Sequence, residues 1–107
     1  MGRPSNGADI FRAISHPKRR MMLERLRRDG DLIATELFDG LKLANGTASR
    51  HLQVLMAAGL VVQKVRGHFH FYSISDAATA FIFKWAASVA ASNRANQSGR
   101  RRQVTAN

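Results

Sequence analysis

The chain has 107 residues, enough for one domain with a modest core. It has no cysteine, which excludes disulfide frameworks, thiolate zinc sites and thiol redox switches. Seventeen Lys and Arg face seven Asp and Glu, a formal charge of +10 that points to a polyanionic partner.

The first eight residues are polar and rich in Gly, Pro and Asn. They read as a flexible N-terminus with no apolar signal segment. Gly2-Arg3-Pro4 is similar to the centre of a minor-groove hook. Asp9–Ile14 predicts a short helix with Ile10, Phe11 and Ile14 on one side, and Ser15-His16-Pro17 punctuates it. Proline suits a first helical turn, where its missing N–H has no helical partner. The second helix is expected over Pro17–Arg28, with Met22, Leu23 and Leu26 inward and Arg19, Arg20, Arg25, Arg27 and Arg28 on its other faces. His16 helps to start it. Asp29-Gly30-Asp31 ends it as a turn.

Leu32–Leu41 predicts a third helix, with Ile33, Leu37 and Leu41 at four-residue steps. A fourth runs from Asn45 to Ala58, and Gly59 stops it. The period then changes. Val61–Arg66 and Phe69–Ile74 are rich in β-branched and aromatic residues with Gly67 between them, the pattern of a hairpin. Ser75 caps a last helix, expected to reach about Asn93, with Asp76 at its positive end. Met21, Met22 and Met56 read as core filler.

The last helix is apolar nearly all round, through Phe81, Ile82, Phe83, Trp85, Val89 and its alanines. One small domain covers only part of such a surface, so a second subunit is expected on the rest. The other arrangement is a central core helix in a monomer. Its apolar stretch, Ala77–Ala91, is broken by Lys84 and is about 22 Å long as a helix, short of the roughly 30 Å of a bilayer. No membrane span is expected, and the place of action is the cytoplasm, at the nucleoid. Domain organisation is therefore a loose segment 1–8, a folded domain 9–93, and a basic disordered tail 94–107. The tail carries four arginines, and without them thirteen basic residues still face seven acidic ones.

The fold class these elements specify is mostly α with a β-hairpin wing, in the order α-α-α-α-β-β-α of a winged helix-turn-helix. At 100° per residue the fourth helix splits. Ala48, Leu52, Leu55 and Gly59 fall on one side. Gly46, Arg50, Gln53 and Ala57 fall opposite, flanked by Asn45 and Ser49 on one edge and Thr47 on the other. An Arg fork, amides and hydroxyls match base edges and phosphates in a major groove, and small Gly46 and Ser49 let the backbone approach.

Three stretches carry a resemblance: "ISHPKRRMML", "TASRHLQVLMAAGLV" and a glycine-tipped wing ending "FYSI". Across Phe11–Ile74 the chain resembles the ArsR/SmtB family of bacterial transcriptional repressors. The resemblance implies a homodimer, its first and last helices pairing across a two-fold axis, that binds an imperfect inverted repeat in a double-stranded DNA operator and blocks transcription. The implied dimer contacts are Ile10, Phe11, Ile14, Phe81, Ile82, Trp85 and Val89. The implied DNA contacts are Asn45, Gly46, Thr47, Ser49, Arg50, His51 and Gln53 on the reading helix, and Lys64, Arg66 and His68 at the wing tip. His51 lies nearest the core flank of its helix. Ala44 departs from the family, which has Ser or Thr there as a cap, so Asn45 is the residue left to cap.

Two family metal sites lack their ligands. Ile33 and Thr35 stand where one has Cys-x-Cys, and Asp76 alone stands in the last helix where another has acids and histidines. His68 and His70 form a His-x-His without a further partner nearby in sequence, and read as DNA or solvent contacts. No cofactor is expected, and the sequence names no inducer. No Ser/His/Asp arrangement, phosphate cradle or buried acid pair marks an enzyme. The alternative class is a nonspecific architectural DNA- or RNA-binding protein. A sequence-specific footprint discriminates the two. A third class, a protein-interaction module built on the last helix, predicts no stable homodimer.

Overall fold

The computed structural model describes residues 7–106, with side chains from residue 8 to residue 91. The Gly2-Arg3-Pro4 hook lies outside the described residues. The elements are α1 (Gly7–Ala13), α2 (Pro17–Asp29), β1 (Leu32–Ile33), α3 (Ala34–Phe38), α4 (Asn45–Ala57), β2 (Val61–Arg66), β3 (Phe69–Ile74) and α5 (Asp76–Ala106). This is a winged helix-turn-helix.

Helix α2 begins as its sequence dictates. The Nδ1 of His16 accepts the Lys18 backbone N–H at 3.0 Å, and Pro17 fills the first turn. Gly30 closes the helix at φ 85, its N–H donating to the Leu26 carbonyl at 2.9 Å. Its Arg20, Arg25 and Lys18 bond to main-chain carbonyls of neighbouring segments. Arg20 donates to the Ile14 carbonyl at 2.8 Å, and Lys18 to that of Leu41 at 2.8 Å. Arg25 donates to the carbonyls of Leu37 and Asp39, tying α2 to the end of α3. These cations cap neighbouring elements whose last carbonyls lack helical partners.

The expected third helix over Leu32–Leu41 is shorter. Leu32 and Ile33 form a strand that pairs antiparallel with Tyr72 and Phe71. The wing is therefore a three-stranded sheet in the order β1-β3-β2. The helix begins at Ala34, where the Ile33 N–H donates to the Glu36 carboxylate at 3.1 Å. It ends before Gly40, which holds φ 75. Leu37 and Leu41 still reach the core.

Helix α4 ends in a Schellman motif. The Gly59 N–H donates to Met56 and the Leu60 N–H to Leu55, both at 3.0 Å, with Gly59 at φ 78. Three residues later β2 begins. It pairs with β3 from Val61↔Ile74 to Arg66↔Phe69. The two-residue turn has Gly67 at φ 61, the glycine position of a type II′ hairpin.

The core gathers Ala13, Met22, Leu26, Leu37, Leu41, Ala48, Leu52, Leu55, Leu60, Val61 and Ala78. Ile10 belongs to it too, so this expected dimer contact is buried within its own chain. Burying a side chain the size of Met22 contributes about 2 kcal/mol. Met21, expected as core filler, is instead 39% exposed, because its neighbour Met22 takes the inward position. Met56 packs against the core as expected.

Helix α5 enters beside the core through Ala78 and Ile82, and the Ser75 carbonyl accepts the Thr79 N–H at 3.2 Å. It runs to Ala106, past the expected end at Asn93 and through the segment expected to be a disordered tail. No proline interrupts that stretch, and Gly99 alone costs about 1 kcal/mol in a helix interior. From Phe83 to Ala91 every residue is exposed. Among the described residues no helix is long and apolar enough to cross a membrane.

Candidate nucleic-acid interface

The split of α4 expected from periodicity is present. Ala48, Leu52 and Leu55 are buried, while Asn45, Gly46, Thr47, Ser49, Arg50 and Gln53 are exposed. Among the described residues none of the five side chains these positions carry makes a hydrogen bond or ion pair within the chain. Ala44 occupies the cap position and supplies no side-chain bond. The Asn45 amide is not spent on capping. A Cβ placed on Gly46 would meet nothing within 4 Å, so packing inside the chain does not call for glycine there.

Among the described residues Arg19, Arg20, Arg25, Arg28 and Arg66 hold side-chain partners within the chain, whereas Arg50, like Arg12 and Arg27, holds none. Its planar five-donor fork stands on the outward face of the reading helix, the geometry suited to a guanine edge or a phosphate.

His51 is placed differently from its helical neighbours. It is half-buried, its ring centroid 4.3 Å from that of His16. Its Nδ1 lies 3.0 Å from Nη1 of Arg19. Burial, and then the nearby His16, Arg19 and Arg50, hold its imidazole below the ordinary histidine range. This expected DNA contact faces the domain because its helical angle puts it at the core flank.

The wing tip carries Lys64, Arg66 and His68, all exposed. Lys64 and Arg66 share Asp31: Nζ and Nη2 lie 3.7 and 3.2 Å from its Oδ2. The hydroxyl of Ser73 donates to the other carboxylate oxygen at 2.5 Å. That hydroxyl, and then the two cations, hold the Asp31 carboxyl below its ordinary range. The Arg66 guanidinium also lies over the Phe71 ring, 5.2 Å from its centroid. His70 faces Gln63, with 2.5 Å between Nδ1 and Nε2. Among the described residues no group of three or more His, Asp or Glu is arranged to hold a metal ion.

A helix-turn-helix domain model matches residues 14–64. The uncharacterised HTH-type transcriptional regulator MJ1325 of Methanocaldococcus jannaschii is 36% identical over 76 residues, 71% of this chain and 85% of that protein. An ArsR-like transcriptional regulator from Rhodococcus sp. RHA1 superposes with a TM-score of 0.69 at 25% identity, covering 86% of each chain. The chain belongs to the ArsR/SmtB-type winged helix-turn-helix regulators. A homodimeric winged helix-turn-helix DNA-binding domain, Mb0332 from Mycobacterium bovis, is a further neighbour of this ArsR-type chain. It superposes with a TM-score of 0.64 at 26% identity over 80% of this chain and 79% of that one.

The aromatic seam of this regulator joins its first and last helices within one chain. Phe11 meets Trp85 edge to face at 4.7 Å and Phe81 at 6.1 Å. Ile14 and Ile82 pack partly against the core. Outside that seam Phe81, Trp85 and Val89 stay about half exposed, and Phe83 is 74% exposed.

Two residues beside this candidate surface escaped sequence reasoning. Lys42 sits in the turn between α3 and α4 at φ 59, an unusual conformation for a side-chain-bearing residue. It lines an open groove of about 550 Å³ with Thr35, Asn45 and Ser49, alongside the reading face. The only sequence signal was a lysine in a turn. Asp31 was read as part of a turn, and its partnership with a strand 33 residues further on left no local trace.

Proposed function

We propose that two copies of this chain form a homodimer that binds an inverted-repeat DNA operator and represses transcription, its own gene among the targets. The observation that supports this reading is the divided surface of α4: a buried face that fixes the helix and an outward face whose polar side chains have no partner among the described residues. Arg50, Ser49 and Gln53 are the groups that read base edges. Asn45, Gly46 and Thr47 bring the helix start against the backbone. Lys64, Arg66 and His68 reach phosphate or the minor groove from the wing, fixing register and affinity more than sequence choice. Lys42 and Thr35 join them beside the helix start.

Phe11, Phe81, Trp85 and Val89 form the surface that a second copy covers, with Ile14 and Ile82 behind it. The half-exposed aromatic seam supports that assignment, and so does the homodimeric neighbour. A bound dimer excludes RNA polymerase from overlapping promoter DNA, acting in the cytoplasm.

Footprinting on the DNA upstream of the coding sequence tests the proposal. The expected result is a protected palindrome with half-site centres about 34–36 Å apart, and a reporter fused to that DNA is derepressed when the chain is absent. Even coating of all sequences, with affinity falling alike in salt, assigns the chain to nonspecific architectural binding instead.

A further inference from the structure

Arg19, on α2, is bonded to two other elements at once. Its Nε donates to the Ala13 carbonyl at 2.6 Å and its Nη2 to that of Arg12 at 3.2 Å, closing the C-terminal end of α1. Its Nη1 meets Nδ1 of His51 on α4 at 3.0 Å. An arginine has only donors, so Nδ1 of His51 accepts, and the proton of the neutral imidazole sits on Nε2. Helix α1 bears Phe11 of the aromatic seam, and α4 bears the reading face. One side chain thus spans the short path between the two.

We propose that Arg19 and His51 form a positioning pair that locks the reading helix to the seam-bearing helix, and that protonating His51 releases the lock and weakens operator binding. This rests on the function proposed above. The chemistry is a change of hydrogen-bonding role. Neutral His51 accepts from Arg19, whereas the imidazolium has no acceptor and presents a second cation at the same place. The charged and titratable groups facing the ring are His16 and Arg19 at the α2 end and Arg50 on its own helix. From α1 the pair meets main-chain carbonyls. Among the described residues, the charged and titratable groups that shift this ring, His16, Arg19 and Arg50, all oppose a further positive charge.

The sign follows from the lowered folded-state affinity for the proton. For folding stability the neutral ring's contribution is complete above the ordinary value of 6.5 and is lost as pH falls below it towards the folded value; the lock, a property of the folded chain, opens as pH falls through that lower folded value.

The test measures binding of the full chain to its footprinted duplex and to a scrambled duplex between pH 8 and 5.5 at fixed ionic strength. Wild type is expected to lose about tenfold in operator affinity on acidification, the scale of one charge-assisted hydrogen bond. The scrambled duplex shows no such loss. His51→Gln keeps an acceptor for Arg19 without a titrating group, so it binds the operator as wild type does near neutrality and flattens the pH profile. His51→Leu binds more weakly at every pH.

A His51→Gln profile that falls in parallel with wild type overturns the proposal, as does full operator affinity in a folded His51→Leu chain. A nitrogen-15 imidazole titration without DNA separates this failure from failure of the functional reading. It is expected to show an unprotonated Nδ1 and a midpoint below 6.5 that rises in Arg19→Gln. An Nδ1-protonated ring refutes the pair whatever DNA does.

Discussion

Asp31 pairs with Arg66 across the wing: its Oδ2 lies 3.2 Å from Nη2 of the exposed Arg66, at the foot of the strand that carries the wing tip. The same carboxylate draws Lys64 and is steadied by the Ser73 hydroxyl. The two cations that the wing offers to a phosphate are therefore already partnered in the free chain, and DNA must compete with Asp31 for them. Asp31→Asn keeps an oxygen for Ser73 and removes the charge. It is expected to tighten binding to operator and random duplexes alike by roughly threefold, the scale of an exposed ion pair. Competition binding on both duplexes measures this, and tightening on the operator alone would assign Asp31 a part in sequence choice. Acid has the parallel effect on stability. The folded carboxyl is held below its ordinary 3.8, so its contribution is present above that value and is lost as pH falls beneath it.

Arg50 and Lys64 are expected to fail in different ways. Arg50→Ala should cost about 1–3 kcal/mol on the operator and relax preference at one base position, with little change on random DNA. Lys64→Ala should weaken all duplexes similarly and reduce the slope of log affinity against log salt by about one. Salt titrations of both variants on both duplexes decide it. An equal loss for Arg50→Ala on random DNA makes it a backbone contact.

The aromatic seam predicts a dimer that one truncation dissolves. Trp85→Ala removes the edge-to-face partner of Phe11 and half-exposed indole surface. It is expected to weaken self-association by about 2 kcal/mol or more, in the range of anchoring aromatic side chains. Sedimentation equilibrium across a concentration series reads this directly. A monomeric wild type removes the dimer from the proposed function.

Lys42 separates folding from binding. Its φ of 59 is costly for any residue with a Cβ, and glycine relieves that cost at the expense of a more flexible unfolded chain. Lys42→Gly is expected to leave thermal stability unchanged or raised by up to about 1 kcal/mol, while DNA affinity drops through the lost charge. Unchanged affinity in a calorimetrically intact variant takes Lys42 off the interface.

Much of this was legible because local signals were strong. Gly59 fixed the end of α4, and alternating β-branched and aromatic residues around Gly67 fixed both wing strands to the residue. The reading face followed from Ala48, Leu52 and Leu55 at helical spacing. What escaped notice depends on distant partners. Ile33 has helical spacing with Leu37 and Leu41, yet with Leu32 it becomes a strand because Tyr72 and Phe71, some forty residues on, offer a free edge. Ile10 was placed at a subunit contact, yet α1 turns it into its own chain's core. Arg19, Arg20 and Arg25 read only as charge on the outer faces of the second helix, because a sequence does not show which carbonyls need a donor.

The joint between α4 and β2 leaves little room for play. Ala58, Gly59 and Leu60 alone separate them, and each sends its backbone N–H to a carbonyl of α4. Groove reader and wing therefore tilt as one stiff forceps arm. In the proposed dimer, a signal would change the grip by resetting the distance between two such arms, not by bending either one.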